Sequence, residues 1–399
     1  MIINGIYSSA TVYANVIEEA AIEQIRTMCD CEFTSGSCIR IMPDVHAGKG
    51  CTIGTTMTVT DKIVPNIVGV DIGCGMYTVK LDTQTPDLDR LDEAAHFVPS
   101  GRNVWEGRQE PFDLEQLRCF RQLKDTKRLQ RSLGTLGGGN HFIEVDKGGD
   151  GTLYLVIHTG SRSLGLQVAN YYQELAVQLN QGMEDYFRRR EALIAAYKAE
   201  GRRSEIHEAL KTLKAETKPL TLPRELCFLY GDYMADYLHD VEICQQFAQR
   251  NRELIAQILL QRAGLTDSDA FHTVHNYIDT REMILRKGAI AAHRGEKVLI
   301  PINMRDGSVL AVGRGNPEWN DSAPHGAGRL MSRTAARESL DLQAYRSAMA
   351  GIYTTSVSEA TLDEAPMAYK SLTDIIDVIR DSVDVTDIMK PIYNFKAAD

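Results

Sequence analysis

Hydrophobic residues follow two different spacings in different regions of the chain. Short runs of β-branched residues separated by glycines fill residues 38–79, and the same texture returns at 132–160 and 271–313. Such runs predict strands joined by turns. Residues 165–263 are instead rich in Ala, Leu, Gln, Glu and Arg, which favours helices. Their apolar spacing predicts three or four helices, at 166–181, 184–214 with a break near Gly201, and 231–263.

The order of these stretches predicts the α+β class. A helical subregion at about 165–263 is inserted between two strand-rich regions, so we expect one domain of mixed sheets over residues 1–399, not two independent domains. Outside these regions the pattern predicts an amphipathic helix at 15–28, strands at 62–64 and 67–68, a helix at 369–389 and a final strand at 392–395.

Composition narrows the possible functions. The 399 residues are 43% hydrophobic and carry a net charge of −10. A protein that coats nucleic acid non-specifically is usually basic, so any nucleic-acid contact must use a local basic cleft. The sequence predicts neither a membrane span nor a signal peptide. The eight cysteines match no zinc or Cys-x-x-Cys spacing, and we expect reduced core thiols in a cytoplasmic protein.

A glycine-bounded turn, V-G-V-D-I-G-C-G-M, holds the first candidate metal ligands. Asp71 and Cys74 offer an oxygen and a sulfur three residues apart, and His141, His158 and His275 each stand beside a turn signal. This mixture of ligand types suits a borderline transition metal such as Mn, Zn or Fe, and not Ca or Mg. Taken alone, the turn fits a small buried cysteine beside a turn-forming aspartate at least as well.

Two further turns point to phosphate. G-T-L-G-G-G-N-H-F-I-E-V feeds a glycine run into a strand, and such loops let backbone N–H groups approach phosphates. No Gly-Lys-Ser/Thr follows, so this is not a Walker A loop. In V-I-H-T-G-S-R-S, hydroxyls and Arg162 follow His158, which fits an oxyanion or a phosphate. Ser163 in the same turn is also a good helix N-cap.

Two motifs contain paired candidates. In M-P-D-V-H-A-G-K-G, Asp44 and His46 share one face of an extended segment, although a turn with a capping aspartate explains them equally well. In F-H-T-V-H-N-Y, His272 and His275 face opposite sides of an extended segment, so we expect only one of them to be a ligand.

The last motif, P-H-G-A-G-R-L-M-S-R, surrounds His325 with small residues that let a large ligand reach its ring. Arg329 and Arg333 are four residues apart and would share one face of a helix. Two adjacent guanidinium groups favour phosphate binding, and the alternative is a basic face exposed to solvent.

Taken together and in this order, the motifs resemble the RtcB family of RNA ligases. The segments that carry the resemblance are M-P-D-V-H-x-G-K-G, V-G-V-D-I-G-C-G-M, G-T-L-G-x-G-N-H-F-I-E, H-x-G-S-R, H-N-Y, R-K-G-A, H-G-A-G-R-x-M-S-R and A-P-M-A-Y-K, from about residue 40 to Lys396. The resemblance implies an RtcB-like single catalytic domain. It also implies an enzyme that joins RNA ends bearing a 2′,3′-cyclic phosphate or a 3′-phosphate to a 5′-hydroxyl, with GTP and two Mn²⁺ ions.

The resemblance implies a role for each matching residue. His325 is similar to the family's nucleophile, which takes GMP as a covalent phosphoramidate, and Asp44 resembles a residue needed for that step. The implied ligands of two Mn²⁺ ions are Asp71, Cys74, His141, His158 and His275, with Cys74 bridging. The implied GTP-binding residues are Asn140, His141, Phe142, Ile143, Glu144, His275, Asn276, Pro301, Ile302, Asn303, Met304, Ser308, His325, Gly326, Ala327, Gly328, Tyr369 and Lys396. The candidates for contact with RNA phosphates are Arg162, Arg329 and Arg333.

The chain departs from the family pattern in the loop expected to line the GMP pocket. Where the family usually has P-G-S-M-G, this chain has P-I-N-M-R, and Pro324 precedes His325 where small Cys or Ser types are common. These departures predict a divergent paralog, such as those linked to release factor H and thought to repair cleaved RNA. The alternative function is a metal-dependent RNA cyclic-phosphate hydrolase that lost ligation. Neither hypothesis identifies an activating partner.

Overall fold

Two large β-sheets organise the chain, which a computed structural model describes over residues 1–397. The first sheet is antiparallel except where its second and third strands pair in parallel. In spatial order its strands are β1 (Ile2–Asn4), β2 (Ser9–Val12), β3 (Ile39–His46), β4 (Ile53–Thr58), β12 (Ile284–Lys287) and β11 (Asn276–Asp279).

The second sheet is fully antiparallel and curls into a half-barrel. Its edges approach each other, because the Leu299 amide donates to Thr273 Oγ1 at 3.1 Å and Lys297 pairs with Asp269 at 2.6 Å. In spatial order its strands are β10 (Asp267–Val274), β6 (Gly75–Leu81), β8 (Leu153–Thr159), β7 (Phe142–Lys147), β17 (Val383–Lys396), β15 (Gly307–Gly313) and β14 (Lys297–Asn303). Two small ribbons pair β5 (Lys62–Ile63) with β9 (Leu229–Tyr230), and β13 (Ala289–Ala291) with β16 (Ser322–Pro324).

Helices surround these sheets, and several of them cover the outer faces. They are α1 (Glu19–Cys29), α2 (Pro65–Val68), α3 (Leu88–Phe97), α4 (Thr126–Arg131), α5 (Arg162–Asn180), α6 (Glu184–Ala199), α7 (Ile206–Thr212), α8 (Gly231–Ala263), α9 (Arg333–Ser339), α10 (Leu342–Ala348) and α11 (Leu372–Ile379). The apolar sides of α1, α5 and α8 join the first sheet in one core, and α3 with the end of α8 packs on the half-barrel. By contrast, no residue of α6 or α7 is buried.

The inner face of the half-barrel has its own apolar layer, formed by Met76, Phe142, Val156, Leu299 and Met389. Side chains of a strand alternate between the two faces of a sheet. Residues of β7 at even positions therefore face this interior, and those at odd positions face the helices. The apolar layer supports the ends of the strands that carry the candidate ligands.

The α+β class predicted from the sequence is confirmed, and α8 has the predicted bounds. Two element predictions are wrong. Residues 67–68 end a four-residue helix that Pro65 begins, because proline at the first helical position is pre-organised for a helix. Residues 383–389 belong to β17 and not to a long helix, since β-branched alternation there resumes after α11. The extent of the single domain stays a prediction.

No helix within residues 1–397 is long and apolar enough to cross a membrane. All eight cysteines are unpaired thiols, and seven of them are buried, as the sequence predicted. Six of the seven can be explained by packing alone. The seventh, Cys74, lies among histidines.

Candidate metal and nucleotide site

Five candidate ligands converge at one end of the half-barrel. The Cys74 sulfur lies 3.3 Å from His158 Nε2 and 3.5 Å from His141 Nε2. His158 Nε2 lies 3.3 Å from His275 Nε2, and His141 Nε2 lies 3.0 Å from Asp71 Oδ2. These atoms form two groups of three, one with Cys74, His158 and His275, the other with Asp71, Cys74 and His141. Cys74 is the member that both groups share.

Local backbone geometry explains how such distant residues meet. Asp71 and Cys74 lie in the turn that enters β6, beside the end of β8, which holds His158. The Asn140 carbonyl accepts from His158 Nδ1 at 2.9 Å, which leaves Nε2 for the cluster. Gly160 follows β8, and a Cβ there would lie 2.2 Å from Asp71 Oδ1. Glycine at this position is therefore required for the carboxylate to reach the site.

The electrostatics of the cluster fit metal binding. Burial lowers the pKa of His158 and of His275 well below the usual range, so both rings are neutral and offer a lone pair. Burial raises the pKa of the Cys74 thiol, and the nearby Asp71 raises it further. A bound cation reverses that effect, because a coordinating thiol is deprotonated. The donors are imidazole, thiolate and carboxylate, a set that fits borderline transition metals.

His325 lies next to this cluster with its ring held by a buried carboxylate. Its Nδ1 is 2.7 Å from Asp44 Oδ2, and its ring centroid is 4.9 Å from that of His275. Asp44 is fully buried in β3. Gly328, with φ of +77°, packs against it, and a Cβ there would lie 3.0 Å from the Asp44 carbonyl oxygen. The small residues around His325 therefore permit the close approach of the segment after β16 to β3 that this contact needs.

A cavity of about 300 Å³ opens beside His325. It is lined by most of the residues predicted to bind GTP, namely Asn140, Phe142, Glu144, His275, Asn276, Pro301, Ile302, Asn303, Met304, His325, Gly326, Ala327, Gly328, Tyr369 and Lys396. His158 and His275 of the metal cluster line the cavity directly. Asp44 does not line it and is next to it only through its contact with His325. The segment in which the sequence departs from the family pattern therefore forms part of the wall. It is not a loop as expected, because residues 301–303 end strand β14.

Three residues of the predicted GTP set do not line this cavity. Ile143 points to the opposite face of β7 and packs in the core under α3 and α8. Ser308 is fully buried in β15, deeper in the half-barrel. His141 belongs to the metal cluster instead. The alternation of side chains along a strand explains Ile143, because its neighbours Phe142 and Glu144 are the ones that face the cavity.

One wall of the cavity is a buried ionic cluster that the sequence did not predict. Glu364 is 2% exposed and accepts from Tyr369 Oη at 2.6 Å and from Lys396 Nζ. Burial alone would raise the pKa of Glu364, but Lys396 and Arg333 hold it at about 2. Arg329 reaches the same carboxylate at 3.5 Å. The only sequence signal was an acidic pair directly before the A-P-M-A-Y-K motif.

The candidate RNA-binding arginines already have protein partners. Arg162 donates to Thr135 Oγ1 at 3.0 Å and to the Gly101 carbonyl at 2.6 Å. Arg333 lies 2.6 Å from Asp363 Oδ2 and is the first residue of α9, so Arg329 lies outside that helix. Both arginine side chains contact Asp363 and Glu364. They do not share one helical face as the sequence predicted. Their role toward RNA stays a prediction.

The sequence named His46 as a candidate without a role, and it missed two other polar residues of the site. His46 lines the cavity, and its Nδ1 lies 3.0 Å from the Asp44 carbonyl. Asn394, two residues before Lys396 on β17, donates to Glu144 Oε2 at 2.5 Å. Arg252 is 1% exposed on α8 and donates to the carbonyls of the strand ends around Cys74. His272 lies apart from the cluster and stacks on Tyr77, as the alternation predicted.

Comparison with known proteins agrees with this site. A family model described as tRNA-splicing ligase RtcB matches residues 24–118 and 119–397. The RNA-splicing ligase RtcB of Escherichia coli K12 is 30% identical over 400 residues, which cover 90% of each chain. The tRNA-splicing ligase RtcB of Archaeoglobus fulgidus is 27% identical over 460 residues, covering 91% of this chain and 88% of that protein. The chain belongs to the RtcB family, and it is an RNA ligase.

Proposed function

We propose that this ligase joins an RNA 3′-phosphate or 2′,3′-cyclic phosphate to a 5′-hydroxyl, with GTP as the activating nucleotide and two Mn²⁺ ions in the cluster around Cys74. The contact between Asp44 and His325, at the border of the ligand cluster and the cavity, carries this proposal. It gives one imidazole the geometry of a nucleophile in a pocket large enough for a nucleotide.

Asp44 prepares His325 for attack. A carboxylate only accepts hydrogen bonds, so Nδ1 of His325 carries the proton and the lone pair of Nε2 is free. Nε2 attacks the α-phosphorus of GTP, the bond from that phosphorus to the oxygen bridging to the β-phosphate breaks, and pyrophosphate leaves. A cyclic phosphate is first hydrolysed, so that water adds to the phosphorus and the bond to the 2′-oxygen breaks. The GMP held on His325 then passes to an oxygen of the RNA 3′-phosphate. Attack by the 5′-hydroxyl forms the phosphodiester and releases GMP, so one difficult condensation is divided into activated steps.

The ligand cluster fits two metal ions. The donors that would hold one ion belong to Asp71, Cys74 and His141, and those for the other to Cys74, His158 and His275. When bound, such ions neutralise and orient phosphates. The mixed nitrogen, sulfur and oxygen donors suit Mn, Zn or Fe, and our choice of Mn²⁺ among them rests on the resemblance to the RtcB family.

Glu144 and Tyr369 supply the proposed base specificity. Glu144 faces the cavity, and a carboxylate accepts from the N1 and N2 donors that guanine has and adenine lacks. Tyr369 also lines the cavity and offers an aromatic face. Arg162, Arg329 and Arg333 remain our candidates for RNA phosphates. A functional link to release factor H and a cytoplasmic location stay predictions from the sequence.

Covalent labelling tests this mechanism. Purified protein incubated with Mn²⁺ and GTP labelled at the α-phosphate should acquire label, and His325→Ala should acquire none. His207→Ala is the matched control, because His207 is exposed on α7 far along the chain from every ligand, and it should label like the wild type. Label on His325→Ala, or an unlabelled wild type, would contradict the proposal.

A second assay separates ligation from the hydrolase alternative. RNA fragments with a 2′,3′-cyclic phosphate and a 5′-hydroxyl should be sealed by the wild type and left unsealed by His325→Ala. A hydrolase without ligation would open the cyclic phosphate in both proteins and never form a junction. Sequencing of the junctions formed in cells would then identify the RNA.

A further inference from the structure

A second buried carboxyl lies one layer beneath Glu144. Glu144 and Asp146 are two residues apart on β7 and therefore share the inner face of the half-barrel. Glu144 is 3% exposed and Asp146 is fully buried. The two carboxyl groups lie close enough for each to act on the pKa of the other. Glu144 faces the cavity, whereas Asp146 does not reach it.

The groups that surround this pair leave its charge poorly compensated. On β17, Asn394 donates to Glu144, while Lys396 is engaged with Glu364. The Lys390 ammonium acts on Asp146 from a distance and donates to the Asp306 carbonyl at 3.2 Å. Tyr154 of β8 stands opposite Asp146. The Ser308 hydroxyl of β15 lies beside Asp146 but outside hydrogen-bonding geometry with it.

Asp146 consequently lacks a donor among the groups of residues 1–397. Neither of its carboxyl oxygens accepts a hydrogen bond from a protein N–H or O–H group. Two ionised carboxylates in contact inside a protein repel strongly, and each would lose the hydrogen bonds it makes in water. A single proton between them removes one charge and supplies the missing hydrogen bond. Apposed carboxyl groups in enzymes share a proton for this reason.

We propose that Glu144 and Asp146 share one proton, and that Asp146 is a positioning residue. When guanine binds, Asp146 takes up the shared proton from Glu144. The inference rests on the proposed guanine pocket. Guanine presents two N–H donors, so Glu144 must then be an acceptor only. The proton moves from Glu144 to Asp146, whose O–H donates back to Glu144. The pair keeps one proton throughout, and no charge is added to the interior.

The charges around the pair support this arrangement. Burial raises the pKa of Glu144 well above the usual range, and the neighbouring Asp146 raises it further. Burial also raises the pKa of Asp146, to about 6. Titration of such a pair belongs to both groups together. Near neutral pH the folded protein therefore holds one carboxyl proton that the unfolded chain, with ordinary carboxyl pKa values, has released.

The pH dependence of unfolding measures this proton. Stability should fall as pH rises from about 5 to 7, because unfolding releases the shared proton. Asp146→Asn keeps a donor to Glu144 but cannot exchange a proton, so it should weaken this dependence, while the burial of Glu144 keeps part of it. The ratio of the unfolding constants of wild type and variant should change by up to about tenfold per pH unit. Asp150→Asn, in the exposed β7–β8 turn, is the control and should leave the slope unchanged.

Calorimetry of GMP and AMP binding keeps the two proposals distinguishable. The wild type and Asp146→Asn should both prefer GMP, whereas Glu144→Gln should lose that preference. If the wild type binds GMP and AMP equally, the guanine pocket and this inference both fail. If GMP is preferred but Asp146→Asn has the wild-type pH slope, only the shared proton is refuted.

Infrared spectroscopy of the wild type tests the proton without any substitution. A protonated carboxyl band should be present at pH 7 and should shift when GMP is added, because the proton changes its carrier. A spectrum without a GMP-sensitive carboxyl band would overturn the proposal even where Asp146→Asn does not fold.

Discussion

Charged side chains are buried in one region of the molecule and exposed in another. The first is the end of the half-barrel that holds the ligand cluster and the cavity, here called the mouth, and the second is the arm formed by α6 and α7. At the mouth, carboxylates, imidazoles and a thiol are buried and contact one another, as Glu364 does with Lys396. In the arm no helical residue is buried, and ion pairs such as Arg202 with Glu205 stand in solvent. Buried charge costs free energy unless its partners are in place. Substitutions at the mouth should therefore reduce stability or activity strongly, and substitutions in the arm should be tolerated.

The largest effect should follow from Cys74→Ala. Cys74 belongs to both groups of ligands, so its loss should weaken both metal sites. Loss of a residue that only supports the ligands costs about 10–100-fold in activity, and we expect Cys74→Ala to reduce ligation by more than about 100-fold. Asp71→Asn should cost less, because Asp71 belongs to one group. Bound metal counted by mass spectrometry and junction formation from labelled RNA would measure both effects.

Cys29→Ala separates metal chemistry from packing in this test. Cys29 is as buried as Cys74 but lies in α1 among apolar residues. It should keep the wild-type metal content and activity while losing a little stability. Equal losses in Cys29→Ala and Cys74→Ala would mean that the cluster is only a packed core.

A smaller effect, on stability, should follow from Glu364→Gln. The change leaves Lys396 buried without its carboxylate, and breaking a buried ion pair costs about 3 kcal/mol or more. Urea unfolding at pH 7 would measure the change in the free energy of unfolding. Glu338→Gln, at an exposed position of α9, is the matched control and should be neutral.

The same pair predicts a pH dependence with a definite sign. The folded pKa of Glu364, about 2, is below the ordinary value, so its stabilisation is complete above the unfolded pKa and lost as pH falls through it toward 2. The difference in stability between wild type and Glu364→Gln should therefore shrink between about pH 5 and pH 2. A constant difference would show that Glu364 is not ionised in the folded protein.

The same contrast explains how far the sequence could predict the molecule. Helical periodicity is a local property, and it predicted the bounds of α8 and the break near Gly201. Short apolar runs are ambiguous between helix and strand, and both element errors lie in such runs, at residues 67–68 and 383–389. The sheet order, which brings β17 beside β7, depends on distant pairing that no local pattern contains.

The site could be predicted where chemistry is carried by rare residues beside glycine. Cys74 taken alone fits a buried core thiol at least as well, so the prediction came from the set of motifs in order. The structure brings Cys74 and His325 to one place through His275, which lies beside both. Glu364 and Arg252 are common types whose significance arises from burial next to a partner on another element. Their sequence neighbours give no sign of that partner, so only the folded arrangement distinguishes them from surface charges.

The smallest effect should come from the arm, where Arg202→Ala removes contacts to Glu200 and Glu205. All three side chains are about half exposed, and exposed pairs of this kind are screened by water and salt. The melting temperature and the ligation rate should therefore equal those of the wild type within error. A clear loss of ligation with an unchanged melting temperature would assign the arm a part in RNA binding, and the contrast between the two regions would then concern stability alone.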